Sequence, residues 1–223
     1  MIKYLGHSAF EIDINTDNIL IDPFISGNPL AIAKAEDYSP NYIILSHAHG
    51  DHVGDTQEIA RRSSATVISN FEIANYFAAK GLNIHPMGIG GSFNFSFGKL
   101  SFSPAWHSSS FDDGSYGGMP MGIILEIAGK RIYHAGDTAL FSDMMLIGSK
   151  EIDIAFLPIG DNFTMGPEAA LEAVKMLKPK QVVPIHYNTF DLIKQDPYKF
   201  KEAVEANTDA SCIVMQAGDS LDL

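Results

Sequence analysis

Thiols and positive charge are scarce in this chain, and long apolar runs are missing from it. The single cysteine, Cys212, excludes an internal disulfide framework and leaves no thiolate set for a structural zinc knuckle. It lies in the apolar run Cys212-Ile213-Val214-Met215 and reads as a packed core thiol. Lys and Arg number 15 against 27 Asp and Glu, a net charge of −12. A surface of that sign repels a phosphate backbone, and no basic cluster stands out beyond Arg61-Arg62, so nucleic acid is disfavoured as substrate or partner. A small anionic substrate stays admissible, because bound cations would make a site locally positive. No stretch approaches the roughly 20 continuous apolar residues of a membrane span. The opening Ile2-Lys3-Tyr4-Leu5 reads as a strand, without the basic and apolar regions of a secretory signal, so a cytoplasmic location is expected. With 46% apolar and 19% charged residues the composition is that of a globular protein. A chain of this length can build one core that buries roughly 70–75% of its unfolded surface.

What is abundant is histidine in a pattern. His47-Ala48-His49-Gly50-Asp51-His52 places four metal-ligating side chains within one hexapeptide, directly after the apolar run Tyr42-Ile43-Ile44-Leu45. Side chains two apart on an extended chain point the same way, so His47 and His49 can share one metal. Asp51 and His52, on the turn that follows, can reach a second. Imidazole and carboxylate donors suit Zn²⁺, Mn²⁺ or Fe. The other candidates also follow short hydrophobic segments. Leu100 to Trp106 ends at His107, Lys130 to Tyr133 runs into His134-Ala135-Gly136-Asp137, and Gln181 to Ile185 ends at His186. In layered α/β folds ligands gather where strands end, because that edge is open while the strand bodies are packed.

No composition shift divides residues 1–223, which read as one α/β domain. Strands are expected near 2–6, 9–14, 18–22, 42–46, 66–69, 93–97, 99–106, 121–127, 131–134, 153–157, 181–185 and 211–215. Helices are expected over 54–62, 71–80, 167–177 and 197–206, with Pro167 at a helix start and Gly81 past a helix end. The stretch Met87 to Gly98, with Phe93, Phe95 and Phe97 alternating, reads as a turn entering a hairpin with one buried face.

The ligand order His-x-His-x-Asp-His, then His107, Asp137 and His186, is similar to that of the metallo-β-lactamase superfamily. Tyr4-Leu5-Gly6-His7-Ser8-Ala9-Phe10, Ile21-Asp22-Pro23-Phe24, His107-Ser108-Ser109-Ser110 and Tyr133-His134-Ala135-Gly136-Asp137-Thr138 resemble its lactonase-like, metal-dependent hydrolase branch. So do Leu157 to Pro167 and Pro184-Ile185-His186-Tyr187-Asn188-Thr189-Phe190. The resemblance implies an αββα four-layer sandwich with the site at one edge, between two sheets. It implies His47, His49 and His107 on one metal, Asp51, His52 and His186 on the other, and Asp137 bridging. Two divalent ions, zinc first with manganese or iron as alternatives, would sit about 3.5–4 Å apart and hold a hydroxide as the nucleophile. The expected activity is hydrolysis of an ester, lactone or phosphodiester in a small molecule, not of a β-lactam. A di-iron redox protein of the same fold and a non-catalytic metal-dependent binding module are the alternatives. Homo-oligomerisation is left open.

Two residues carry catalytic expectations besides the metals. Asp51 can steer the proton of the attacking water, and His7, between two strands, can donate to substrate or leaving group; a structural turn histidine is its other reading. Asp22 can fix a ligating histidine or serve as an Asp-Pro turn former. His134 is expected beneath the site and His85 at the surface or in a structural role. Ser108 to Met119 and Asp161 to Met165 are candidate substrate loops, and Tyr187 and Asn188 can orient an oxyanion.

Overall fold

Ile19, Leu20 and Ile21 are consecutive and all buried, as are Ile123, Ile124 and Leu125. Strands with no polar face must be covered on both sides, and this chain covers them with a second sheet on one side and helices on the other. The computed structural model describes residues 1–14 and 17–223. The first half runs β1 (Ile2–Gly6), β2 (Ala9–Asp13), β3 (Asn18–Ile21), β4 (Tyr42–Ile44), α1 (Gly50–Val53), α2 (Thr56–Ser63), β5 (Thr66–Ser69), α3 (Phe71–Ala78) and β6 (Ile84–Pro86). Next come β7 (Ser92–Phe95), β8 (Gly98–Pro104), β9 (Met121–Ile127), β10 (Lys130–His134), α4 (Met144–Gly148) and β11 (Ile154–Pro158). The chain closes with α5 (Pro167–Leu177), β12 (Gln181–Ile185), α6 (Pro197–Asn207), β13 (Ser211–Cys212) and β14 (Ser220–Leu221).

Two seven-stranded sheets result, ordered β14-β1-β2-β3-β4-β5-β6 and β13-β12-β11-β10-β9-β8-β7. Each is antiparallel on one side and parallel on the other, changing at β3 in the first and at β10 in the second. Alternation along the strands sorts side chains into layers. Ile19, Ile21, Ile44, Phe102, Ile123, Leu125, Phe156 and Val183 fill the space between the sheets. Leu20, Ile43 and Leu45 face outward, onto Ile59 of α2 and Ile73 and Phe77 of α3. Ile124, Ala155, Leu157 and Val182 face Met144 of α4, Val174 and Leu177 of α5 and Phe200 of α6. This is the expected αββα sandwich. Among the described residues no helix is long and apolar enough to cross a membrane.

Several elements differ from expectation for physical reasons. The helix expected over 54–62 forms as α2, and a one-turn helix, α1, precedes it, parted from it at Gly54. That residue has φ +41°, and a Cβ there would strike the Pro23 carbonyl oxygen, so glycine is required and α1 must stop. α4 is five residues long and β6 three, too short to display a period. The strand expected over 211–215 pairs only at Gln181↔Ser211 and Val182↔Cys212. β14 pairs with β1 through Ile2↔Leu221, a contact between the two ends of the chain that no local pattern encodes. The β7–β8 hairpin forms as expected, and burial rises along it from Phe93, 48% exposed, to Phe97, 3% exposed. His85 stacks on Phe93 and Phe95 at 4.5 and 4.9 Å, a structural position.

Phe156 on β11 meets Phe10 on β2 at 4.3 Å between ring centroids, tying the two sheets together. Phe156→Ala should lower unfolding free energy by about 3–5 kcal/mol, read from urea melts. A loss below about 1 kcal/mol would mean the inter-sheet layer is not the principal core.

Candidate metal centre

Four strands of the two sheets deliver ligand-type side chains to one edge. β4 leads through Leu45 and Ser46 to His47, β8 ends before His107, β10 before Asp137, and β12 at His186. His49 keeps an extended backbone, φ −65° and ψ 148°, which keeps it on the same side as His47. The chain then coils into α1, turning Asp51 and His52 toward the other side of the cluster.

The resulting distances divide the residues into groups. His47 Nε2 lies 3.0 Å from His49 Nδ1, and these two with His107 form one set whose donor atoms lie within 4.8 Å of one another. His7, Asp51, His52 and His186 form a second set, and His47, His52 and Asp137 a third that joins them. Asp137 is at the centre. Its Oδ1 is 3.2 Å from His52 Nε2, and its Oδ2 is 3.0, 3.6 and 3.9 Å from the Nε2 atoms of His186, His107 and His47. His52 Nε2, His186 Nε2 and Asp137 Oδ1 are buried and make no hydrogen bond, although they face one another. Buried polar atoms without partners are costly, and convergence of nitrogen lone pairs on a carboxylate is what divalent ions compensate. The donor set of imidazoles and carboxylates fits Zn²⁺, Mn²⁺ or Fe.

Asp22 orients two of these histidines. Its Oδ1 accepts the Ser46 N–H at 2.8 Å, and its Oδ2 accepts the Ser46 hydroxyl at 2.6 Å and His52 Nδ1–H at 2.8 Å. With its proton given to Asp22, the Ser46 oxygen accepts from His47 Nδ1 at 3.0 Å. Both rings are thereby held with Nε2 free for a metal, one in each set. Asp22 also forms the turn, with φ +44° and its carbonyl accepting the Phe24 N–H at 2.7 Å, so both expected roles are present. Ser108 Oγ stands 3.3 Å from His49 Nε2.

The charges respond to this crowding. Burial disfavours a charge on His52, but Asp137 and Asp22 on either side hold its pKa well above the usual 6.5. Burial, with His52 beside it, holds His47 well below that value. Burial acts to raise Asp137, and His186 and His52 override it, keeping the carboxylate ionised. Without an ion, the spare proton of the cluster resides on His52.

His7 lies at the cluster, between β1 and β2. It is fully buried and held behind Asp51, with Nε2 3.2 Å from Asp51 Oδ2 and Nδ1 2.8 Å from Thr189 Oγ1. Burial and the neighbouring His186 push its pKa down to about 4, so at neutral pH it is uncharged. A neutral ring that donates to Asp51 accepts from Thr189. His186 N–H donates to the His7 carbonyl at 2.9 Å, and both residues have positive φ, +55° and +59°. His134 is packed beneath the site as expected, Nε2 donating to Ser8 O at 3.0 Å and Nδ1 accepting from Gly136 at 3.1 Å.

A hollow of about 360 Å³ opens above the cluster, lined by His49, Asp51, His107, Asp137 and His186 together with Ser108, Phe163 and Phe190. The loop from Ser108 to Met119, a candidate substrate loop, is tied at its base. Asn70 donates to the carbonyls of Gly117 and Met119, Ser109 Oγ accepts the Ala48 N–H, and Phe111 stacks on Tyr76 at 3.6 Å. Tyr187 and Asn188 turn away from the hollow and line a separate cleft of about 450 Å³ that contains no histidine or carboxylate. Asn188 Oδ1 instead accepts the Gln195 N–H at 2.8 Å. Ser46, Thr189 and Phe190 are marked in the sequence only by nearness to His47 and His186, whereas Phe163 falls within the candidate substrate loop Asp161 to Met165.

A family model for the beta-lactamase superfamily domain matches residues 17–187. A UPF0173 metal-dependent hydrolase from Bacillus cereus is 53% identical over 228 residues, covering 100% of this chain and 99% of its own length. Among solved structures, Igni18, a metallo hydrolase from the hyperthermophilic archaeon Ignicoccus hospitalis, aligns with a TM-score of 0.91 and 40% identity, over 99% of this chain and 96% of that one. CmlA, a diiron beta-hydroxylase from Streptomyces venezuelae, shares the fold alone, with a TM-score of 0.79 and 13% identity over 100% of this chain and 54% of that one.

Asp22→Asn should weaken zinc binding by about 10–100-fold in a chelator competition, because neither Nε2 would remain fixed as an acceptor. Unchanged affinity would show that Asp22 serves the turn only. Zinc loading at pH 7 should also release protons, since His52 must surrender its own. Calorimetry in buffers of different ionisation enthalpy reads this; heats independent of buffer would contradict it. The sign for the metal-free fold follows from the raised pKa. His52 contributes stability that is fully present below its unfolded value near 6.5 and is lost as pH rises through the higher folded value.

Proposed function

The chain belongs to the metallo-β-lactamase superfamily and is a metal-dependent hydrolase, and on that premise we propose that it works with two divalent ions on a small-molecule ester, lactone or phosphodiester. One observation carries the proposal of two ions. The Asp137 carboxylate stands between the two ligand sets: Oδ1 faces His52 and Oδ2 faces His186 of one set, and Oδ2 also faces His107 and His47 of the other, so one side chain reaches both. His47, His49 and His107 would hold one ion, Asp51, His52 and His186 the other. Zinc suits so nitrogen-rich a set, with manganese or iron as alternatives. Ions held there would activate a shared water and polarise the scissile oxygen.

The protein's own groups do the rest. Asp51 stays ionised: burial acts to raise its pKa, but the hydrogen bond from His7 and the nearby His52 depress it. Ionised, it can accept a hydrogen bond from the attacking water and steer its proton, while His7 fixes the orientation of its carboxylate and acts through it as a positioning residue. Asp22 and Ser46 keep His52 and His47 in the right tautomers, and Ser108 steadies His49. No serine or cysteine nucleophile is called for. Burial pushes the thiol of Cys212 up to about 12, which leaves it inert. The small hollow and the net charge of −12 favour a small molecule over nucleic acid.

Elemental analysis of protein purified without added metal should give about two zinc or manganese per chain, and Asp137→Ala should lose both metal and activity. Full turnover by the Asp137→Ala protein with two ions bound would overturn the assignment. Two irons per chain would move redox chemistry ahead of hydrolysis.

A further inference from the structure

In the stretches 6–8, 22–30, 46–54, 105–120, 135–142, 158–166 and 186–193, which carry or adjoin the cluster, the charged side chains are aspartates. Lys194, next along the last of them, pairs with Asp191 at 2.7 Å. Asp112 stands over the Gly50 backbone, its Oδ1 2.9 Å from where a Cβ would be, and it acts electrostatically on His49. Asp113 is exposed on the same loop as Asp112, and Asp161 is exposed on the loop that carries Phe163. The hollow itself is lined, apart from the metal-ligating residues, by one hydroxyl and two aromatic rings. Phe163 and Phe190, 53% and 40% exposed, present their rings where a ligand in the hollow would cover them. Phe190 also touches the site from behind, 5.6 Å from the His7 ring and 6.3 Å from Phe24.

These features bear on the charge of the substrate. Sites for phosphate-type substrates supply donors to the oxygens that the metals do not take, by Arg, Lys or clustered backbone N–H groups. Here the hollow has no such cation, and an anion approaching it passes aspartates. We propose that this site takes an uncharged acyl substrate, an ester or lactone whose alkyl or aryl arm lies across Phe163 and Phe190, and discriminates against phosphodiesters and other anions. The proposal rests on the hydrolase reading above and narrows it. The step is a plain hydrolysis: the water oxygen bonds to the acyl carbon, the C–O bond breaks, and the leaving alcohol and the acid share the two protons of water. No oxidant or reductant is involved.

The test separates charge from reactivity by placing the charge far from the reacting carbon. Zinc-reconstituted protein is assayed with p-nitrophenyl hexanoate and with mono-p-nitrophenyl adipate, which differ at the end of the arm. The neutral ester should be favoured in kcat/KM by roughly tenfold or more, chiefly through KM. Phe163→Ala and Phe190→Ala should flatten the gain from acetate to hexanoate, and Phe163→Lys should narrow the penalty on the adipate. Equal or better use of the adipate, or an unchanged chain-length dependence in both alanine variants, overturns the proposal. Calorimetric titration with hexananilide and adipic acid monoanilide measures the same preference without turnover. If neither ester is cleaved by protein carrying two zinc ions, the hydrolase reading falls, and the anilide pair still decides the charge preference. Tighter binding of the neutral anilide upholds it; equal or weaker binding defeats it.

Discussion

One buried carboxylate sets the terms for the metal centre. Asp22 has no exposure to solvent, and each of its acceptances is from a group next to or within the ligand motif: the Ser46 backbone, the Ser46 hydroxyl and the His52 ring. Through Ser46 it reaches His47 as well, so a single side chain fixes one imidazole in each half of the cluster. A histidine can bind metal through either nitrogen, and a two-ion site tolerates little freedom in that choice. The price of holding Asp22 there is its positive φ and full burial, which a turn needing only an Asp-Pro signal would not require.

The cluster is also where the two sheets meet functionally. The motif that includes His47, His49, Asp51 and His52 follows β4 in the first sheet, whereas His107, Asp137 and His186 follow β8, β10 and β12 in the second. Their relative placement therefore depends on the inter-sheet layer, in which Phe10, Phe102 and Phe156 set the spacing. Interiors packed like organic crystals transmit small changes in volume, so the precision of the site is inherited from apolar residues remote from it.

The ligand set is legible in the sequence because its chemistry is local. Two histidines two apart, followed by an aspartate and a histidine, declare themselves, and strand ends supply the remainder. The four layers can be inferred only through family resemblance: Ile19-Leu20-Ile21 shows that both faces are buried but not what covers each. Pairing of β14 with β1 joins residues more than two hundred positions apart in a chain of 223, and no period encodes it. α1 leaves no signature because four residues make one turn and have no amphipathic face. His7 reads as a site residue, but its place depends on Thr189, at the far end of the chain in sequence and 2.8 Å away in space. Phe163 is legible only as part of the candidate substrate loop Asp161 to Met165, and Phe190 less so: an aromatic residue is expected inside, and nothing local says that these two rings stay outside.

His7, Asp22 and His186 all adopt the left-handed backbone conformation, at φ +59°, +44° and +55°. Each such residue costs on the order of 1–3 kcal/mol, which glycine would largely avoid. The same conformation recurs at Ser64, Ala128, Glu151 and Lys178, away from the cluster, so left-handed backbone alone does not single out the site. At His7, Asp22 and His186 a glycine would ease the backbone but remove a side chain that serves the cluster, so at these three positions ease of folding and assembly of the centre pull in opposite directions.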